Sequence, residues 1–268
     1  MVSPFRRHQQ MVRGLKSAGP NHVSPRTQVP APEQPTDTEA GREYATLRVL
    51  LHDNLRALSD IASIEARNPK KAEFARAFAP WIEGVLAAGD ERQAAQDEIV
   101  VTNMVWAIDY RDIDYALQLG RHVLKHNLTM PERYSRTAAC FLAEDIATLA
   151  LDQHEKVTLE QLVEVLAMVD GADMPDPAKA KLHKAIARAF RRRAEAFDPS
   201  ADNAPAGGKA AYADEALRHA KRAFELDVNA GVKTDIRELE RMLKAISAEA
   251  GDGTNHSGAL ASPGATAT

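Results

Sequence analysis

Residues 42–66, REYATLRVLLHDNLRALSDIASIEA, decide the fold class. Tyr44, Leu47, Leu51, Leu55, Leu58, Ile61 and Ile64 recur at steps of three and four, the spacing of one helical face. Asn68-Pro69 predicts the end of that helix, because the residue before a proline is pushed out of the helical region. Downstream, helices are expected at 70–78 and 80–88, with Pro80 opening the second. Others follow at 94–109, 112–127 and 138–152. Thr158 and Gln161 spell a capping box ahead of Leu162, Val165 and Leu166. Asp176 is expected to cap a helix running to about 196, with Pro177 at its first position. Segments 210–226 and 233–248 complete the set. No segment alternates in the manner of a strand, so the expected class is all-α, built of antiparallel helix pairs. Asp114-Tyr115-Ala116-Leu117 and Asp214-Glu215-Ala216-Leu217 open two matched helices, a tetratricopeptide-like trace.

The flanks read differently. Residues 1–40 hold six of the chain's 14 prolines and lack apolar periodicity, so a disordered arm is expected there. Residues 41–248 are the helical domain, with an internal loop at 198–209, and the Gly-rich stretch 249–268 reads as a second disordered tail. Residues 1–32 carry Arg6, Arg7, Arg13, Lys16 and Arg26 and no acid. The rest of the chain holds 29 basic against 38 acidic groups, a basic arm on an acidic body. The single cysteine, Cys140, excludes an internal disulfide and any Cys-rich zinc site. No run reaches the ~18 apolar residues of a membrane span, so a soluble protein without membrane contact is expected.

Catalytic motifs are scarce. The nearest approach to a P-loop is Gly207-Gly208-Lys209-Ala210, with Asn203 at the first glycine position and Ala210 where a hydroxyl is needed. No lysine has an acid two residues before it, the spacing of a common nuclease core. His122 and His126 could share a metal at i, i+4, but no third ligand follows in pattern, and they read as surface histidines. Asp97, Glu98, Asp112, Glu144 and Asp145 are the carboxylates that magnesium would need if the chain itself cut DNA. Otherwise no tightly bound cofactor is expected. The strongest binding signal is the helix from 177: Lys181, Lys184, Arg188, Arg191 and Arg192 fall within an arc of about 100° at 100° per residue. Such a stripe could follow a phosphate backbone, or be a solvated face with bases near a helix C-terminus.

Three stretches carry a resemblance. They are Pro80-Trp81-Ile82-Glu83-Gly84-Val85-Leu86 followed by Ala95-Gln96-Asp97-Glu98-Ile99; Arg111-Asp112-Ile113 leading to Leu128-Thr129-Met130-Pro131; and Ala172-Asp173-Met174-Pro175-Asp176 with Ala180-Lys181-Leu182-His183-Lys184. In this order the chain resembles the small terminase subunits, also called terminase endonuclease subunits, of contractile-tailed temperate phages with cohesive-end DNA. The resemblance implies genome packaging in the host cytoplasm, binding of double-stranded viral DNA, homo-oligomers that are often rings, and a large subunit carrying the ATPase. With it, Arg6, Arg7, Arg13, Lys16, Lys181, Lys184, Arg188, Arg191 and Arg192 become the expected DNA contacts. The helix at 42–66 becomes the expected subunit contact, with Leu51 on that face. Two other readings stand beside it: a metal-dependent endonuclease in its own right, and a helical adaptor that binds protein and no DNA.

Overall fold

The computed structural model describes residues 30–88, 93–198 and 208–255, with side chains to 248. Every regular element among them is helical: α1 (Glu39–Ser59), α2 (Ile64–Ala75), a 3-10 turn (Arg76–Phe78), α3 (Ala79–Ala87), α4 (Glu98–Asp109), α5 (Ile113–Lys125), α6 (Ala138–Asp152), a 3-10 turn (His154–Lys156), α7 (Leu159–Met168), α8 (Asp176–Glu195), α9 (Gly208–Leu226) and α10 (Lys233–Asn255).

The core is organised around α4. All ten residues from Ile99 to Ile108 are buried, so this helix is covered on every side. Its N-terminus is fixed by Asp97, which accepts from the backbone N–H of Ile99 (2.9 Å) and Val100 (3.0 Å). At its other end Arg111 takes a left-handed conformation, φ 74°. The N–H of Asp112 then reaches the Ala107 carbonyl, and that of Arg111 the Ile108 carbonyl, which is a Schellman closure. Asp112 in turn caps α5 through Tyr115 N–H, so α4 and α5 form a tight hairpin. Asn127, φ 54°, closes α5 in the same way. The capping box of α7 is present: Gln161 N–H donates to Thr158 Oγ1 and Thr158 N–H to Gln161 Oε1.

α8 and α9 form the second hairpin. Phe190 meets Tyr212, and two turns away His183 meets His219, as antiparallel packing requires. α8 also lies on α6 and α7, which joins the two hairpins. A tetratricopeptide array does not emerge. The two helices matched in sequence, α5 and α9, are each the second of a hairpin, but one first partner is buried all round (α4) and the other is amphipathic (α8).

Several boundaries move. Asn68-Pro69 does not end the first helix: the chain breaks at 60–63, and Pro69 lies inside α2. Ser63 supplies the reason, since its side chain accepts from Ala66 N–H and starts a new helix. α1 starts earlier than the periodicity suggests, where Thr38 Oγ1 accepts from Gly41 N–H. Asp176 is the first residue of α8 and makes no side-chain cap; Pro175 stands at the cap position. The last helix continues past 248 to Asn255. Residues 30–38 lie against the body, where Gln96 N–H donates to the Pro32 carbonyl at 2.6 Å. α1 is fastened along one line: Tyr44, Leu51 and Leu58, seven residues apart, are its buried large side chains. Leu51 is fully buried, so the face expected to meet another subunit is core. Val49 and Leu50 are its exposed apolar residues.

Candidate nucleic-acid interface

α8 presents its bases between two acidic walls. Lys181 Nζ donates to Glu144 of α6 at 2.9 Å. Glu144 and its neighbour Asp145 also accept from Arg136, at 2.7 and 3.2 Å. On the other side Arg188 donates twice to Asp235 of α10, at 3.2 and 3.1 Å. Arg191 reaches Glu195 at 2.8 Å and also pairs with Glu238 of α10. Lys184 donates to the Ala230 carbonyl at 2.8 Å. Here five bases interleave with five acids, and the stripe becomes an internal ion-pair ladder that ties α6, α8 and α10 together.

Arg192 differs from its neighbours. Half-buried, it has no ion-pair or hydrogen-bond partner among the described residues. Burial, then the charge of Arg188, lowers its pKa from the ordinary guanidinium value. Burial and Arg188 act in the same direction on Lys184. Of the α8 bases Lys181, Lys184, Arg188, Arg191 and Arg192, only Arg192 is not already engaged by a partner among the described residues. The arm bases Arg6, Arg7, Arg13 and Lys16 lie outside the described residues.

The carboxylates do not gather. Asp97 is 1% exposed, caps α4 and accepts from Trp81 Nε1 at 2.7 Å. Burial raises its pKa above the usual carboxylate value, against three hydrogen bonds that lower it. Glu98 sits beside His52 and Arg48 of α1, at 3.2 and 3.5 Å. Asp112 caps α5. Glu144, held by Lys181 and Arg136, has its pKa lowered. Among the described residues no group of three or more His, Cys, Asp and Glu could hold a metal ion. His122 and His126 are not surface residues. They are 8% and 3% exposed, their rings lie 4.5 Å apart and tilted by 50°, and His126 Nδ1 accepts from Ala94 N–H.

A cleft of about 390 Å³ opens at the C-terminal end of α4, between α2 and α6. Asp109, Asp145 and Asp152 stand at its rim. Sequence reading missed Asp109 and Asp152 because no local pattern marks them; only the fold brings them to one cleft.

The phage small terminase subunit family model matches residues 48–177, from α1 to the first turn of α8. Similarity extends further in a terminase, endonuclease subunit of Escherichia phage P2, 36% identical over 247 residues, covering 91% of this chain and 87% of that protein. The chain belongs to the phage small terminase subunit family. A "Probable terminase, endonuclease subunit" of Haemophilus phage HP1 (strain HP1c1) is 25% identical over 222 residues, covering 79% and 74%. No solved structure matches. The α8 stripe lies beyond the span of the family model, whereas α4, its Asp97 cap and the cleft lie within it.

Proposed function

We propose that this chain is the DNA-recognition and assembly subunit of a phage terminase, contacting double-stranded DNA chiefly through its basic arm. Family membership gives it a role in phage DNA packaging. The observation that carries the finer reading is the contrast between two sets of bases. Those on α8 are largely answered by carboxylates or carbonyls of the same chain. The five on residues 1–29 have no acid in their own segment. Arg6, Arg7, Arg13 and Lys16 therefore lead, Arg192 adds a contact from the body, and Lys181, Lys184, Arg188 and Arg191 hold the fold beneath it. The chain acts in the host cytoplasm with an ATPase large subunit. Its copies associate through the outer face of α1, where Val49 and Leu50 are exposed.

The test is the salt dependence of binding to duplex DNA carrying the packaging site. Five phosphate contacts give a slope of log K against log salt of about −4.5, at −0.9 per contact. Full participation of the α8 stripe, four more bases, would steepen it to about −8. Neutralising the arm bases to Gln should remove most of the slope, whereas Arg188→Gln should not change it. The reverse pattern refutes the reading. Running the same samples with magnesium shows whether the purified chain cuts, and magnesium-dependent cutting by this chain alone would move catalysis into this subunit.

A further inference from the structure

We infer that the outer face of α10 is a second track for duplex DNA, carried by Lys233, Arg237, Arg241 and Lys244. At 100° per residue these four fall within an arc of about 80°, and from the first to the last the helix rises about 16 Å. All four are exposed. No acid shares their arc over residues 233–248. The acids of α10 lie off the stripe and are engaged: Asp235 by Arg188 and Arg191, Glu238 by Arg191, and Glu240 by Lys221 of α9 at 2.9 Å. Lys233 Nζ lies 5.3 Å from the centre of the Phe224 ring. Arg237, Arg241 and Lys244 have no ion-pair or hydrogen-bond partner among the described residues. The α8 bases are answered by acids of neighbouring helices. On α10 the helix's own acids are spent on α8 and α9, and bases alone remain outside.

The pattern runs against helix stability. Lys233 and Arg237, Arg237 and Arg241, and Arg241 and Lys244 are like charges three or four residues apart, which disfavour a helix. A row of phosphates neutralises them. One strand of duplex presents a phosphate every ~3.4 Å along the axis, so about five lie beside a stripe of this length. A protein interface has an apolar centre, and this stripe contains no apolar side chain; the exposed large apolar residues Val49, Leu50, Ile64 and Val228 all lie outside α10. The track is separate from the arm. The arm joins the body at α4, where the Pro30 and Pro32 carbonyls accept from Gln93 and Gln96, whereas α10 packs on α9 and pairs with α8. That the anion is DNA rests on the proposed function; that this face takes a row of anions does not.

Two duplexes carrying the packaging site test it, one of about 15 bp and one of about 50 bp, at 3.4 Å per base pair. The shorter is occupied by the arm, and the longer leaves free duplex for α10. With the full chain the shorter should give the slope of about −4.5 expected of the arm, and the longer should steepen it by about 3.6, four contacts at 0.9 each. Arg237→Gln with Arg241→Gln should remove about half of the added slope. Neutralising all four to Gln should remove the whole of it and leave the melting temperature unchanged, since no ion pair within the chain is lost. Arg56→Gln with Lys70→Gln, bases paired within their own helices, should leave both slopes as they are. Equal slopes on the two duplexes, or an undiminished added slope in the fourfold variant, overturns the track. Tighter binding of poly-glutamate than of the longer duplex by a chain with its arm bases neutralised overturns DNA in favour of an acidic protein. Failure of the arm reads differently: neutralised arm bases then leave the shorter duplex bound as before, whatever the stripe does.

Discussion

Replacing Asp97 by alanine should cost the fold more than any other single carboxylate change among the nuclease candidates. Its two oxygens serve three donors: Ile99 N–H and Val100 N–H on one, Trp81 Nε1 on the other. The residue is 1% exposed, so no water replaces what is lost. Loss of an N-cap costs about 1 kcal/mol. A buried donor left without an acceptor costs about 1–3 kcal/mol. Together these terms make Asp97→Ala destabilising by about 2–4 kcal/mol. Asp97→Asn keeps the oxygen that caps the helix and removes a charge that burial disfavours, but turns an amide towards the Trp81 N–H. It should cost about 1 kcal/mol. Urea unfolding followed by helical circular dichroism and by fluorescence of Trp81 and Trp106 reads both effects. An alanine variant within about 0.5 kcal/mol of the parent, the range of ordinary surface changes, would refute the structural role. It would also make any lost cutting activity a matter of chemistry.

Leu50→Asp should weaken self-association while leaving helix content unchanged, whereas Leu51→Asp, at a fully buried position, should detach α1 and lower helix content; light scattering with circular dichroism distinguishes them. Glu144 has a lowered pKa because Lys181 and Arg136 hold its charged form. The stability it adds is therefore present above the ordinary value of 4.5 and lost as the pH falls below it, so Glu144→Gln should flatten acid unfolding in that window. A Cβ added at Gly41 would collide with the Pro35 carbonyl, so Gly41→Ala should lift residues 30–38 from the body and expose the chain there to limited proteolysis. Arg192→Glu should weaken DNA binding without shifting the melting temperature, and Arg188→Glu should lower the melting temperature instead.

Elements with local signals were legible in the sequence. The Thr158–Gln161 box, the proline opening α3 and the bounds of α6 depend on residues a few positions apart, and they stand where the spacing put them. What sequence spacing could not supply was the partner. The α8 stripe has the predicted face, but Glu144 lies 37 residues away from Lys181 and Asp235 lies 47 from Arg188. Nothing local says that those acids will answer those bases. Asp97 read as a carboxylate with free chemistry because its Trp81 donor stands 16 residues back, on another helix. His122 and His126 read as exposed because polar residues usually are; Ala94, 32 residues back, meets His126, and both rings are buried. Pro69 misled because Ser63 restarts the helix upstream of it, and the new helix carries the proline at its sixth position.

The single seam that holds α1 sets a hierarchy of opening. Its amides depend on Tyr44, Leu51 and Leu58, whereas those of α4 depend on the whole body. In hydrogen exchange α1 should open as its own unit, far below the free energy of global unfolding, and α4 should exchange only when everything unfolds. A helix that can leave without dissolving the core can change neighbours, so α1 can exchange its seat on the body for another surface while the rest of the chain stays intact.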